Sequence, residues 1–185
     1  MSDNVCPWWV GVFLASPIRK LLHNPENILS LHVKENMKVA DIGCALGFFS
    51  FPMAKMVGEN GEVHCFDVQD SMLKTLKKKI DKKKEVSNNI ELHKSKSTDI
   101  GLNSCGNDFD FMLAFAVVHE VPNQKKFFNE IYDNLKTGGK LLVAEPLGHV
   151  SEENFNKSLK IMKETGFRVD NNITIKGRRS VVGIK

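Results

Sequence analysis

The sequence predicts an α/β fold: a single Rossmann-like, doubly wound, mostly parallel seven-stranded sheet, with an antiparallel C-terminal hairpin and a short N-terminal helical cap. Three observations predict it. Short apolar runs of the buried-strand kind alternate with amphipathic helix-like stretches along most of the chain. Gly43 and Gly47 fall at the first strand-to-helix passage, where the backbone has to turn tightly. Asp67 ends the next strand-like run, twenty residues after Gly47.

Taken in order, residues 1–32 are expected to form a cap or lid and residues 33–185 the main domain. In the cap, Pro7-Trp8-Trp9 and Val10 to Leu14 are apolar, Pro17 breaks the run, and Asn24 caps a helix with Pro25 at its first position. This segment has no partner within itself, so it is expected to lie over the sheet's carboxyl edge, against a second subunit, or across a substrate opening. Met37 to Ile42 reads as the first strand, Phe48 to Val57 as the first main helix, and Val63 to Asp67 as the second strand. Met72, Leu73, Leu76 and Ile80 give the next helix its buried stripe, with Asp70 or Ser71 as N-cap. Ile90 to His93 and Phe109 to Ala114 are the third and fourth strands. Asn123 to Leu135 is a helix ended by Thr137-Gly138-Gly139, and Lys140 to Ala144 is the fifth strand. Ser151 opens a helix that Gly166 stops, after which Phe167 to Ile175 and Ser180 to Ile184 are expected to pair as a hairpin.

A chain of 185 residues suffices for one domain that buries roughly 70% of its unfolded surface. The four cysteines, Cys6, Cys44, Cys65 and Cys105, form no C-x-x-C pair, and two lie in or beside buried strands, so a reducing, cytoplasmic setting is expected. The Val10 to Ala15 patch is far too short to span a bilayer. The net charge of +4 comes largely from lysines between Lys74 and Lys84, which read as the solvated face and C-terminal end of a helix. No aromatics interleave with them and no arginines accompany them, which disfavours nucleic acid as partner.

The sign of the ligand can also be argued. Pyrophosphate binders use G-x-G-x-x-G with bare helix N-terminal amides. Here the spacing is Gly43-x-Ala45-x-Gly47, and Asp41 stands two residues before the first glycine. A carboxylate at that place repels a phosphate and suits a cofactor carrying an ammonium and a sulfonium. Asp67 would then meet a ribose diol. These properties point to S-adenosylmethionine, with S-adenosylhomocysteine as its product.

On these residues the chain resembles the class I S-adenosylmethionine-dependent methyltransferases of small-molecule type, over roughly Val33 to Lys185. Val39-Ala40-Asp41-Ile42-Gly43-Cys44-Ala45-Leu46-Gly47 is similar to the family's first motif, and Phe66-Asp67 to its ribose-binding acid. Ser97-Thr98-Asp99 resembles the segment facing the adenine, Phe109 to Ala114 the fourth strand, and Leu135 to Val143 the turn and fifth strand. Ala45 stands where the family usually has a second glycine. The resemblance implies that Gly43, Cys44, Ala45 and Gly47 line the methionine part and that Val68 and Met72 flank the adenine. It implies that Thr98 and Asp99 meet the adenine's polar edge and that Ala114 and Phe115 close the floor. It also implies that a leading segment lids the site, making Trp8 and Trp9 substrate-pocket candidates.

His119 and Glu120 follow the fourth strand, where the transferred methyl should emerge, and are the acid-base candidates; His149 and Glu145 face the same edge after the fifth strand. No metal is expected. The fourth strand is followed by no Asp/Asn-Pro-Pro-aromatic turn and no Pro-Cys pair, so a small-molecule acceptor is favoured over a nucleobase. The expected state is a monomer or homodimer without a membrane partner. The alternatives left open are a cofactor-binding partner or sensor without chemistry, a nucleic-acid or metalloid/thiol methyltransferase, and a nicotinamide-dependent oxidoreductase.

Overall fold

A strand that is buried on both faces needs helices above and below it, and the alternating pattern of this chain supplies them. The computed structural model describes residues 24–83 and 88–185. Seven strands form one sheet: β1 (Lys38–Ile42), β2 (Glu62–Asp67), β3 (Ile90–Lys94), β4 (Phe109–Phe115), β5 (Leu135–Pro146), β6 (Arg168–Asp170) and β7 (Arg178–Ile184). Their order is β3-β2-β1-β4-β5-β7-β6. All pairs are parallel except β5 with β7 and β6 with β7. The strand order therefore reverses between β1 and β4, and in an open α/β sheet the carboxyl ends at such a point form the ligand-binding crevice.

Among the described residues, five α-helices cover the sheet: α1 (Pro25–Leu29), α2 (Ser50–Val57), α3 (Asp70–Ile80), α4 (Gln124–Asn134) and α5 (Glu152–Thr165). Val39, Phe111, Leu113 and Leu142 join one core with Leu29, Met53, Val57, Leu76 and Ile80 from the first three helices. Ala40, Ile42, Met112 and Val143 face the opposite core, filled by Phe127, Phe128, Ile131, Phe155 and Met162 from the last two. The period-2 alternation of side chains along each strand divides the two cores.

Several elements depart from the sequence expectation for local reasons. The N-cap of α3 is Gln69, which makes no side-chain capping bond. Asp70 is the helix's first residue, and its carboxylate pairs with Lys94 at 3.0 Å. The strand expected over Phe167 to Ile175 keeps only Arg168–Asp170, because Asp170 Oδ1 accepts from the Asn172 N–H (2.9 Å) and closes a turn that breaks the ladder. Conversely, β5 begins directly at Leu135, because Gly138 and Gly139 exchange backbone hydrogen bonds with Lys185 at the end of β7.

The described part of the cap packs on the main domain through Leu29. Asn24 accepts from the Glu26 and Asn27 N–H groups as the N-cap of α1. Leu29 and Val33 are buried, and the His32 ring stacks on Phe111 at 5.5 Å, toward the amino-terminal half of β4. Trp8 and Trp9 lie outside the described residues.

Candidate active site

The loop from Gly43 to Gly47 leaves β1 at the crevice with three residues at positive φ: Gly43 (+74°), Ala45 (+45°) and Gly47 (+81°). Glycine at the two ends is dictated by crowding as well as by φ. A Cβ on Gly43 would stand 2.4 Å from Val117 Cγ2, and one on Gly47 would stand 2.6 Å from Leu76 Cδ1. Ala45 does adopt the left-handed conformation, at a cost of about 1–2 kcal/mol. Its N–H donates to Asp67 Oδ2 (2.9 Å), which fixes it there.

Four of the five amides of this loop are engaged within the protein. Gly43 and Cys44 both donate to the Phe66 carbonyl (2.8 and 3.0 Å), Ala45 donates to Asp67, and Gly47 donates to the Cys44 carbonyl (2.9 Å). A phosphate cradle works by presenting such N–H groups to the anion. Here four of the five point into the protein's own acceptors, three backbone carbonyl contacts and the Asp67 carboxylate, which disfavours a nest for a diphosphate.

Asp67, at the carboxyl end of β2, is only 8% exposed. Its Oδ1 accepts from the Gln69 N–H (2.8 Å) and its Oδ2 from Ala45, which holds the carboxylate in place at the end of β2. Burial raises its pKa above the usual carboxylate value, while the N–H donors and Lys94 pull the other way. Asp41 is buried one strand over and accepts from the Ser50 hydroxyl at the start of α2 (2.5 Å). Cys44 is buried against Cys65, and that contact, followed by burial, raises its thiol well above the ordinary value.

The remaining cofactor candidates distribute around this centre. Val68 is 38% exposed, an uncovered apolar surface directly after Asp67, whereas Met72 is buried at the start of α3. Thr98 and Asp99 sit on a turn beyond β3, closed by mutual Lys96 and Asp99 backbone bonds, with Asp99 facing Lys126 at 3.5 Å. Ala114 pairs with Ile42 at the floor of the crevice. The Phe115 ring packs on Phe49 at 4.6 Å.

Beyond β4 the chain turns through Ala116 (φ +61°) into a short 3₁₀ turn, Val118–Glu120. Glu145, near the end of β5 and 2% exposed, organises this turn: Oε1 accepts from the Val117 and Val118 N–H groups (3.0 and 2.9 Å), and Oε2 binds His119 Nδ1. The hydrogen bond to Glu145 raises the His119 pKa, against the opposing effect of burial. His119 Nε2 faces Glu120 Oε1 at 3.9 Å. Burial raises Glu120, His119 lowers it, and Glu145 and Asp67 add further upward pushes, so these acids share one field. The His149 ring lies 6.4 Å from that of His119.

Sequence reasoning placed Glu145 at this edge without its partners, and it missed Ser50 and Arg178. Arg178 holds its guanidinium 4.5 Å from the Phe115 ring centroid. It begins an antiparallel strand, opposite Pro146, and so arrives at the carboxyl edge of the parallel strands. The expected hairpin carried that signal, because the first residue of an antiparallel return strand must lie at the end where its partner finishes.

The arrangement of strand order, glycine-softened loop and buried terminal acid defines a class I methyltransferase architecture. The family whose sequence model matches residues 33–177 is described as a methyltransferase domain, and this chain belongs to it, with S-adenosylmethionine as the family's cofactor. Among solved structures, an S-adenosylmethionine-dependent methyltransferase from Aquifex aeolicus superposes with a TM-score of 0.85 at 27% identity, covering 97% of this chain and 99% of that one. The demethylmenaquinone methyltransferase of Listeria welshimeri is 28% identical over 116 residues, 63% of this chain and 48% of its own length. The ubiquinone/menaquinone biosynthesis C-methyltransferase UbiE of Pectobacterium carotovorum is 30% identical over 113 residues, 61% of this chain and 44% of its own length. The chain thus spans about half the length of these relatives. Asp67's fixed carboxylate, and a loop with four of its five amides already engaged, fit an adenosyl sulfonium.

Proposed function

We propose that this protein transfers a methyl group from S-adenosylmethionine to a small-molecule nucleophile, an electron-rich hydroxylated ring of the quinol class, held beside His119. The observation that carries the reading is the His119–Glu145 dyad, set on the same strand edge as the Asp67 cradle. The bound donor supplies a methyl carbon that is already electrophilic, which leaves the chain chiefly the work of alignment, worth about 7–11 kcal/mol of barrier.

In this reading Asp67 accepts from both ribose hydroxyls, and Val68 and Met72 flank the adenine, with Thr98 and Asp99 at its polar edge. Gly43, Cys44, Ala45 and Gly47 underlie the methionine part, Asp41 adds negative charge near the ammonium, and Ala114 and Phe115 form the floor. Glu145 binds His119 through Nδ1, so the tautomer with Nδ1–H leaves Nε2 free to accept a proton. The acceptor's hydroxyl proton passes to Nε2, which raises the nucleophilicity of the oxygen and of the ring carbons. Glu120 stands beside that nitrogen as the second acid-base group, and His149 lines the acceptor's approach. The names of the quinone-methylating relatives support a ring acceptor.

No described helix is long and apolar enough to cross a membrane. The free thiols Cys44, Cys65 and Cys105 support a reducing, cytoplasmic setting.

The test is transfer of labelled methyl to a panel of hydroquinols and simple phenols, with wild type and His119→Ala. Turnover by wild type, lost in the variant while donor affinity holds, is the expected result. Tight donor binding without turnover on any acceptor would favour a non-catalytic binding protein.

A further inference from the structure

A second group of donor atoms gathers at the β3 edge of the sheet, apart from the methyl-transfer crevice. Glu62, His64 and Phe66 share one face of β2, and the parallel register sets Glu91 opposite His64 and His93 opposite Phe66. The two imidazoles meet, with His64 Nδ1 3.0 Å from His93 Nε2. The 3₁₀ turn Leu102–Cys105 then delivers Cys105, whose Sγ lies 3.7 Å from His93 Nε2. One donor atom from each of these three residues falls within 4.8 Å of the others. Glu91 Oε2 stands 3.6 Å from His64 Nδ1 and 3.7 Å from His93 Nε2.

We propose that His64, His93 and Cys105, completed by Glu91, form a binding site for a divalent transition metal of the zinc class. A tetrahedral ion with bonds of about 2.0–2.3 Å holds its ligand atoms roughly 3.3–3.7 Å apart, so the 3.0–3.7 Å separations of His93 from His64, Cys105 and Glu91 need only small adjustments, while the exposed Glu91 carboxylate has to swing toward Cys105 to close the fourth position. Two imidazoles and a thiolate are borderline-soft donors, which select zinc or cobalt over magnesium or calcium. His64 is further oriented from behind: Glu62 Oε2 lies 3.1 Å from its Nε2, the carboxylate–histidine arrangement that fixes a metal ligand's tautomer and ring plane. His64 then carries its proton on Nε2 and presents a bare Nδ1. The proton between the two rings belongs to His93 Nε2 and shifts to its Nδ1 when the metal binds; the Cys105 thiol proton leaves to solvent. Metal–nitrogen, metal–sulfur and metal–oxygen bonds replace bonds to water, with no change of oxidation state.

Buried His64 anchors the site from the sheet while half-buried His93 and Cys105 give the ion a path from solvent. Such an ion would clasp β2, β3 and the turn before β4 into one unit. It is not needed for methyl transfer, so its role is structural. The sequence reading expected no metal, because His64, His93 and Cys105 are spread over 42 positions with no ligand spacing among them.

The test uses the full chain, freed of any polyhistidine tag and of bound metal by chelation, titrated with cobalt(II) and with zinc(II) alone. One equivalent of cobalt should produce a near-ultraviolet thiolate-to-metal charge-transfer band, which Cys105→Ser abolishes. Zinc should raise the melting temperature, and His93→Asn should weaken zinc affinity at least a hundredfold. Glu91 has a largely exposed side chain, so Glu91→Gln tests the fourth ligand without endangering the fold, and it should weaken zinc at least fivefold. No thiolate band at stoichiometric cobalt, a band that survives Cys105→Ser, or zinc affinity unchanged in both His93→Asn and Glu91→Gln would overturn the proposal.

Discussion

Replacing Asp67 by alanine separates what this residue does for the donor from what it does for the fold. Its two oxygens accept from the Gln69 and Ala45 amides at 2.8 and 2.9 Å. Two unsatisfied N–H groups cost about 1–3 kcal/mol each. Against this, burial raises the Asp67 pKa, so holding the ionised carboxylate in the fold carries a penalty that the variant removes. The net loss of stability is therefore expected near 1–3 kcal/mol, or roughly 2–4 °C in melting temperature per kcal/mol for a chain of this size. Donor binding should suffer more. Two charge-assisted hydrogen bonds to the ribose are worth about 1.5–3 kcal/mol each, which sets the expected weakening at tenfold or more even after water competes for the hydroxyls. Calorimetric titration of the folded variant with S-adenosylmethionine and S-adenosylhomocysteine is the assay. An affinity equal to wild type would refute the ribose assignment and with it the placement of the adenosyl group at the end of β2.

The other expectations follow from the same geometry. Because burial raises the Asp67 pKa above the ordinary carboxylate value, donor affinity should fall as pH falls through that raised value, and Asp67→Ala should lose this dependence, read by calorimetry across pH. Glu145 lifts the His119 pKa, so wild-type turnover should rise with pH above the ordinary histidine midpoint as Nε2 loses its proton; Glu145→Gln should move that limb to lower pH and lower the plateau. The same raised pKa means that the His119–Glu145 contact stabilises the fold fully below the unfolded histidine value and loses this contribution as pH rises through the folded one, measurable by chemical denaturation. Ala45→Gly relieves about 1–2 kcal/mol of left-handed strain and gives back about 0.5–1 kcal/mol in unfolded-chain entropy, for a net gain of about 1 kcal/mol or less. A destabilised Ala45→Gly would contradict the strain reading. Gly43→Ala meets Val117 at 2.4 Å as well as the φ cost, and should destabilise by about 2–5 kcal/mol in thermal unfolding.

Sequence alone determined what depends on local order along the chain. The apolar runs gave the strands, the stripe Met72–Leu76–Ile80 gave α3, Ser151 and Gly166 bounded α5, and the spacing from Gly43 to Asp67 gave the glycine-bounded loop and the acid at the end of the next strand. Each rests on backbone propensity or periodicity within one element or across one strand–turn–helix unit, which a linear pattern records. Tertiary structure alone decided what depends on which elements become neighbours. Glu145 was visible as a residue at the right edge, yet its bonds to Val117, Val118 and His119 exist only because β4 and β5 lie side by side. Arg178 reached Phe115 because the antiparallel return pairs with β5, a neighbour the hairpin pattern by itself does not name. His64, His93 and Cys105 were three unrelated letters until the β2–β3 register and one 3₁₀ turn placed their donor atoms together. Even the argument against a diphosphate, made from Asp41, gained a second physical support from Phe66 and Asp67, whose oxygens take the Gly43, Cys44 and Ala45 amides. Hydrogen-bond partners distant in sequence are set by the fold's packing, and packing is a property of the assembled chain and of no single segment.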